Sequence, residues 1–159
     1  MVIKSANTAA STPPEKERVA ATSFKQLTEE MINVSIEREE TVYLFKMRRL
    51  TQSQYLQIEQ DTPLPPPPVL MAGRDGNIYD RQNPDWQLKV AMVANERSLR
   101  RIVMSLVDFE LEGDTIADKA KYLYETCPTD IMGGLVRAFN QLNGDRDAVI
   151  EARAATFQQ

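Results

Sequence analysis

The chain is organised around residues 83–108, NPDWQLKVAMVANERSLRRIVMSLVD. Asn83 suits an N-cap, because its side-chain oxygen can accept a hydrogen bond from a free N–H of the first helical turn. Pro84 suits the first helical position, where its missing N–H costs nothing. Apolar residues then recur at helical spacing and predict one long helix over about residues 84–108 with a wide apolar stripe. The residues of this stripe that we expect in the core are Leu99, Ile102, Val103 and Leu106.

Four residues of the same segment are candidates for contact with a partner. Trp86 fits either a core anchor or an anchor at a protein interface. Arg97, Arg100 and Arg101 stand three and four residues apart on the polar side of the predicted helix. They can grip an acidic partner or form a solvated face paired with nearby acids. Both interpretations stay open from the sequence.

The composition argues against catalysis and against a metal or other cofactor. The chain contains no histidine, which is the commonest general base and the commonest metal ligand. Cys127 is the single cysteine, so Cys/His zinc sites and intramolecular disulfides are excluded. The glycine clusters match neither a Walker A loop nor a dinucleotide fingerprint. We therefore predict a protein that is not an enzyme, with no catalytic, cofactor-binding or metal-binding residues.

The formal net charge of −4 bears on the partners. Binding to nucleic-acid phosphates draws its affinity from clustered Lys and Arg, so we expect no nucleic-acid partner. The N-terminus turns polar at once, and no apolar stretch is long enough to cross a bilayer. We expect a cytoplasmic protein with no membrane partner.

The N-terminal part of the chain predicts an arm followed by a small β element. Residues 1–22 carry too little apolar surface to offset the entropy of ordering, so we expect a disordered arm. Residues 23–31 fit a short helix with Ser23 and Gln26 as a capping box. Two β-rich runs then predict one hairpin near residues 32–47. The inner face of the short helix is expected to hold Phe24, Leu27 and Met31.

The middle of the chain predicts a helix, a proline-rich connector and a loop. Thr51 and Gln54 have capping-box spacing at the start of a helix that ends before Pro63. The prolines of residues 63–69 predict polyproline II geometry, either as a stiff spacer or as a ligand for an aromatic-lined groove. Turn signals over residues 72–83 predict a loop.

The C-terminal part predicts further short helices. Thr115 with Asp118 caps one helix, and Thr129 caps the next, which Gly144 ends. Asp145 can cap a last helix. The pair Gly133-Gly134 either weakens its helix or allows close packing. The predicted fold class is mainly α: residues 23–159 form a single small helical domain with one N-terminal β-hairpin, preceded by the disordered arm.

Four features, taken in chain order, carry a resemblance to a known family. A polar arm precedes a β element that runs through residues 45–51, FKMRRLT, into a helix start. The proline-rich connector of residues 63–69 and an Asn-Pro-Asp helix opening at Asn83 follow. Short helices close the chain, with Leu142-Asn143-Gly144 before an acidic cap. Over roughly residues 41–157 the chain resembles the tail assembly chaperones of long-tailed bacteriophages.

This resemblance implies a function without catalysis. Such chaperones bind the long, hydrophobic tape-measure protein in the host cytoplasm and keep it soluble until the tail tube polymerises around it. The family has no catalytic residues to carry over. An alternative in the same class of interaction proteins is a structural virion component of the tail or neck, and self-association stays open in either case.

Overall fold

The computed structural model describes residues 16–144, which form a mixed α/β fold. About 50% of these residues are helical and 21% lie in strands of two small sheets. The prediction of a mainly α domain is therefore wrong. Residues 16–22 form neither helix nor strand and are exposed, whereas residues 1–15 of the predicted arm lie outside the described part of the chain.

Ten elements follow one another along the described chain. The helices are α1 (Phe24–Glu29), α2 (Gln52–Asp61), α3 (Pro84–Ser105), α4 (Ile116–Thr126) and α5 (Thr129–Asn143). The strands are β1 (Met31–Arg38), β2 (Thr41–Arg48), β3 (Val69–Gly73), β4 (Gly76–Tyr79) and β5 (Leu106–Val107). The last helix predicted after Asp145 falls outside the described residues.

The predicted hairpin is confirmed as β1 and β2, which pair antiparallel in one unbroken register from Met31 opposite Arg48 to Arg38 opposite Thr41. Less exposed residues alternate with exposed ones along β1 and at the end of β2, so one face of the hairpin is buried and the other faces solvent. The buried face includes Ile36, Phe45 and Met47. The buried face of the hairpin packs against the core helices.

The long helix is confirmed, but it ends earlier than predicted. α3 stops at Ser105, and Leu106–Val107 turn into the short strand β5 beside Lys46 and Met47 of β2. The fully buried Ser105 hydroxyl donates a 2.6 Å hydrogen bond to the carbonyl of Arg48, which fixes the helix end to the sheet. Because the edge of β2 offers backbone hydrogen bonds, the chain leaves the helix there. Leu106 is consequently only partly buried.

The predicted loop over residues 72–83 is also wrong in its first half. β3 and β4 form a second antiparallel hairpin, with Gly73 opposite Gly76. The turn signal at Asp75-Gly76 marks the tip of this hairpin, and Gly76 adopts a φ of 121°, which favours glycine. A turn signal alone does not say whether the flanking residues pair, and here they do.

One core joins the sheet and the C-terminal helices. Leu99, Ile102 and Val103 are buried as predicted, all in the second half of α3. α5 packs on β1, and α4 packs against α3. The other buried apolar residues are Ile36, Phe45, Met47, Leu50, Tyr55, Ile58, Ala120, Leu123, Ile131, Leu135, Ala138 and Phe139.

Most predicted helix caps form, and two local predictions fail. Thr51 with Gln54 and Thr115 with Asp118 make complete capping boxes, and Gly144 ends α5 with a φ of 73°. The N-cap of α5 is Pro128, so Thr129 is its first helical residue and not its cap. The short α1 buries none of its side chains, and the predicted inner face is exposed, with Phe24 at 89%.

The two glycines of α5 are expected to respond oppositely to alanine. A Cβ on Gly134 would lie 2.8 Å from Cδ1 of the buried Ile36, whereas a Cβ on Gly133 meets open space. Gly133→Ala should therefore raise the free energy of unfolding by about 0.5–1 kcal/mol. Gly134→Ala should lower it, because overpacking costs about 1–3 kcal/mol. Urea denaturation of both variants measures the difference, and equal midpoints would contradict the close packing of α5 on β1.

Candidate functional site

Residues 63–98, called here the 63–98 segment, contain no buried side chain over their whole length. They comprise the proline run, the β3–β4 hairpin and the first two-thirds of α3. On both sides the chain is part of the core, with Thr62 and Leu99 as the flanking buried residues. A continuous stretch of this length with secondary structure but without a core of its own is the most unusual feature of the described molecule.

Two residues of α3 attach the proline run to the helix. The Trp86 indole N–H donates a 2.9 Å hydrogen bond to the carbonyl of Pro65. The Arg97 guanidinium donates to Thr62, at 2.7 Å from Nη2 to the carbonyl and at 3.1 Å from Nε to the hydroxyl. Because Thr62 is the last residue before the prolines, these contacts hold the run along one side of α3. The run is therefore a stiff, tethered connector in this chain.

The β3–β4 hairpin leaves its apolar side chains uncovered. Every residue from Val69 to Tyr79 is exposed, including Leu70 at 67% and Met71 at 62%. Neighbouring strand residues point to opposite faces, so both faces of the hairpin are exposed and partly apolar. An isolated two-stranded hairpin is marginally stable in water. A covering partner would remove apolar surface from water on either face.

Further exposed apolar side chains lie on the first half of α3. Leu88 and Met92 lie on this helix and are more than half exposed. Beyond Met92, a cleft of about 330 Å³ between α3 and α4 is lined by Leu99, Ala120 and the exposed Tyr124. The large exposed apolar side chains of the 63–98 segment are Leu64, Val69, Leu70, Met71, Ile78, Tyr79, Leu88 and Met92.

The charges of the 63–98 segment cancel. It contains four acids, Asp75, Asp80, Asp85 and Glu96, and four bases, Arg74, Arg81, Lys89 and Arg97. A surface with balanced charge does not steer a strongly charged ligand such as nucleic acid. Large apolar side chains scattered between balanced charges fit contact with an apolar stretch of another polypeptide.

A second concave feature lies on the other side of α4. A cleft of about 410 Å³ is lined by the aromatic residues Tyr43, Phe45, Phe109 and Tyr122. The rings of Phe45 and Phe109 lie 5.6 Å apart, and the ion pair of Arg38 with Asp130 lies nearby at 3.2 Å.

Cys127 lines this cleft at the C-terminal cap of α4 and is half-buried. Burial raises the pKa of its thiol, and the negative charge of Asp130 raises that pKa further. The thiolate, which is the nucleophilic form, is therefore disfavoured at neutral pH. This cysteine is poorly suited to nucleophilic chemistry.

The four residues predicted to contact a partner all make contacts within the chain. Trp86 and Arg97 hold the proline run, as described above. Arg100 pairs with Glu96 at 2.6 Å, one helical turn earlier. Arg101 lies over the ring of Tyr55, with its Cζ 5.2 Å from the ring centroid. The arginines are half-buried rather than a solvated polar face. A partner-binding role for these four residues stays a prediction.

Sequence reasoning missed the hairpin that forms the centre of the exposed surface. The signal was present: the apolar run Val69-Leu70-Met71 precedes the turn, and Ile78-Tyr79 follows it. Two short apolar runs joined by a turn are typical of a hairpin. The proline run directly before Val69 directed the interpretation towards an irregular connector.

Several acidic side chains of the described chain take part in helix caps and ion pairs. Residues 16–144 hold no cluster of three or more Cys, Asp or Glu side chains that could bind a metal ion. The pKa of Asp118 is lowered mainly by its hydrogen bond with the Thr115 side chain, which belongs to the capping box of α4. This shift is explained by helix capping. None of the helices formed by residues 16–144 has both the length and the apolar character needed to cross a membrane.

Comparisons with known proteins identified no relative of this chain. No protein-family model, curated protein sequence or solved structure matches the chain. The function is therefore inferred from the chain's own residues and geometry.

Proposed function

We propose that this protein is a non-enzymatic assembly chaperone, which binds an apolar segment of another phage protein through the exposed side chains of the 63–98 segment. The proposed client is the tape-measure protein, to which the sequence resemblance to phage tail assembly chaperones points. The proposed place of action is the host cytoplasm.

The exposed β3–β4 hairpin is the observation that carries this proposal. Its apolar side chains face water on both sides, and large exposed apolar patches of monomeric proteins commonly mark sites of protein interaction. Removing apolar surface from water lowers the free energy by roughly 25 cal/mol for each Å². Binding of a hydrophobic client to the hairpin and to the first half of α3 would be stabilised in this way.

The side chains of this surface suit reversible binding. A chaperone must release its client, so its contacts need moderate affinity and adaptable shape. Met71 and Met92 are both exposed here, and methionine side chains adapt to irregular apolar partners. The bonds from Trp86 to Pro65 and from Arg97 to Thr62 hold the proline run on α3 while the exposed side chains stay free to adjust.

Co-expression with the tape-measure protein of the same phage tests the proposal. We expect the wild-type chain to keep the client in the soluble fraction. The triple variant L70S/I78S/M92S should lose this effect, because it removes apolar side chains from the hairpin and from α3 without touching the core. Quantitative gel analysis of the soluble client gives the measurement.

Leu44→Ser provides the control, since Leu44 is at least as exposed as the three substituted residues but lies on β2, outside the 63–98 segment. The control should support the client as well as the wild type does. A client that is equally insoluble with and without the wild-type chain would contradict the chaperone function. Mass spectrometry of purified particles distinguishes the alternative, because a chaperone leaves the particle and a structural component of the tail or neck stays in it.

A further inference from the structure

Strand β1 forms an open edge of the larger sheet. The strand order is β1-β2-β5, so β1 pairs with β2 on one side only, and no other strand of the described chain lies on its far side. In an antiparallel ladder, every second residue of an edge strand directs its N–H and C=O away from its neighbour. Along the eight residues of β1 these groups form a template for a further strand.

Most of the edge of β1 lacks the usual protection against such pairing, because its charged residues, Glu37 and Arg38, lie only at its C-terminal end. Natural edge strands are blunted by prolines, bulges, lysines or short length. β1 contains no proline, glycine or lysine, and its register with β2 is unbroken over all eight residues. The neighbouring α1 buries none of its side chains. An unprotected edge of this length either pairs with another strand or makes the protein prone to aggregation.

The sequence of β1 is complementary to itself in one antiparallel register. A twofold axis at Val34 brings Asn33 opposite Ser35 of a second copy and Ile32 opposite its Ile36. Opposite residues of an antiparallel pair point to the same face. The inward-facing apolar residues of both copies would therefore form one continuous row, and the exposed polar residues would share the outer face.

The charges at the two ends of β1 favour this same register. It places Glu30 opposite Arg38 of the second copy. Within one chain Glu30 already pairs with Arg49 at 2.9 Å, and Arg38 pairs with Asp130 at 3.2 Å. The interface would thus carry, at each end, a row of four charges of alternating sign.

Neighbouring registers of the same parity fit less well. A shift of two residues in one direction brings the inward-facing Ile36 opposite Glu30, which ends the apolar row. A shift in the other direction brings Ile32 opposite Arg38 and breaks the apolar row. Charge and apolar pattern therefore select the register centred on Val34.

We infer that β1 pairs with β1 of a second copy of this chain, giving a symmetric dimer with a continuous six-stranded sheet. The pairing supplies about eight backbone hydrogen bonds from four hydrogen-bonded residue pairs. A typical protein interface has about ten hydrogen bonds. The interface uses none of the 63–98 segment. The dimer can therefore be tested independently of the proposed function.

Sedimentation velocity of the full chain tests the inference. The wild type should sediment as a dimer, with twice the mass of one chain. The variant N33K/S35K should sediment as a monomer, because each new lysine would lie opposite a lysine of the second copy. Leu44→Lys is the matched control: Leu44 lies opposite Ser35 on β2, away from the edge, and its variant should stay dimeric. Circular dichroism should show that both variants are folded. A monomeric wild type, or a dimeric N33K/S35K, would overturn the inference.

Disulfide trapping tests the register itself. In a Cys127→Ser background, Asn33→Cys and Ser35→Cys are made as separate proteins, both at exposed positions. The Cα atoms of residues 33 and 35 would lie about 5.5 Å apart across the pair, within disulfide range. Mixing the two proteins under mild oxidation should give a cross-linked dimer, and each protein alone should give little. Equal cross-linking of either protein alone would show that the pairing is not centred on Val34.

Discussion

Ile102→Ala is expected to lower the free energy of unfolding by about 2–5 kcal/mol. Ile102 is 1% exposed in the second half of α3 and belongs to the core cluster formed with the sheet, α4 and α5. Truncation removes buried methyl groups and leaves a cavity that the packed surroundings fill only partly. Urea denaturation followed by circular dichroism measures the loss.

Leu88→Ala on the same helix is the control for this prediction. Leu88 is 62% exposed and lies in the 63–98 segment, so its truncation should change stability by no more than about 0.5 kcal/mol. Similar losses for the two variants would contradict the division of α3 into an uncovered first part and a buried end. A large loss at Leu88 alone would indicate that a second copy or another surface covers it in solution.

Arg97→Ala is expected to cost about 1.5–3 kcal/mol, the range for hydrogen bonds made by charged groups. The guanidinium donates to the carbonyl and the hydroxyl of Thr62, a residue that is only 5% exposed. Its removal leaves the buried Thr62 carbonyl without this charged donor. Thermal unfolding of the variant beside the wild type gives the comparison.

Arg97→Lys distinguishes geometry from charge. Lysine keeps the positive charge but cannot reproduce the forked contact of a guanidinium with two oxygens. Its stability should therefore fall between those of the wild type and Arg97→Ala. The exposed Lys89→Ala on the same helix is the control and should unfold with the wild type. If Arg97→Ala also unfolds with the wild type, the contact with Thr62 does not stabilise the fold.

The two predictions concern the two attachments that border the 63–98 segment. The second half of α3 is held in the core by residues such as Ile102, and Arg97 clamps the start of the proline run at the point where the core ends. Between Thr62 and Leu99 the residues are exposed or half-buried, and none of them belongs to the core. Under the proposed function, a surface held in this way can change its outer residues at little cost to the stability of the fold.

The exposed surface could be predicted only in part. The start of α3 at Asn83-Pro84 and its apolar spacing were readable, because capping and periodicity depend on neighbours in sequence. The same periodicity predicts one wide apolar stripe along the whole helix. Only the second half of that stripe is buried in the core, whereas Val90 and Val93 in the first half are half-buried. Which half is covered depends on where α4, α5 and the sheet lie.

The contacts of the three arginines also could not be predicted from local sequence. Spacing placed Arg97, Arg100 and Arg101 on a polar face, and a solvated face was one of the two interpretations. Instead Arg97 contacts Thr62 and Arg101 lies over Tyr55, both far away in sequence. A long side chain can cover apolar surface with its stem and reach a distant acceptor with its head. Such contacts cannot be read from the local pattern.

Local sequence was enough to place the first hairpin, the capping boxes at Thr51 and Thr115, and the glycine stop of α5. These features arise from interactions between residues a few positions apart, so their signals are contained in short stretches. Long-range packing decided the early end of α3 at Ser105, the pairing of β5 with β2, and the exposure of the β3–β4 hairpin. Each of these depends on which backbone edges and apolar faces arrive from distant parts of the chain, and a local pattern carries no record of that.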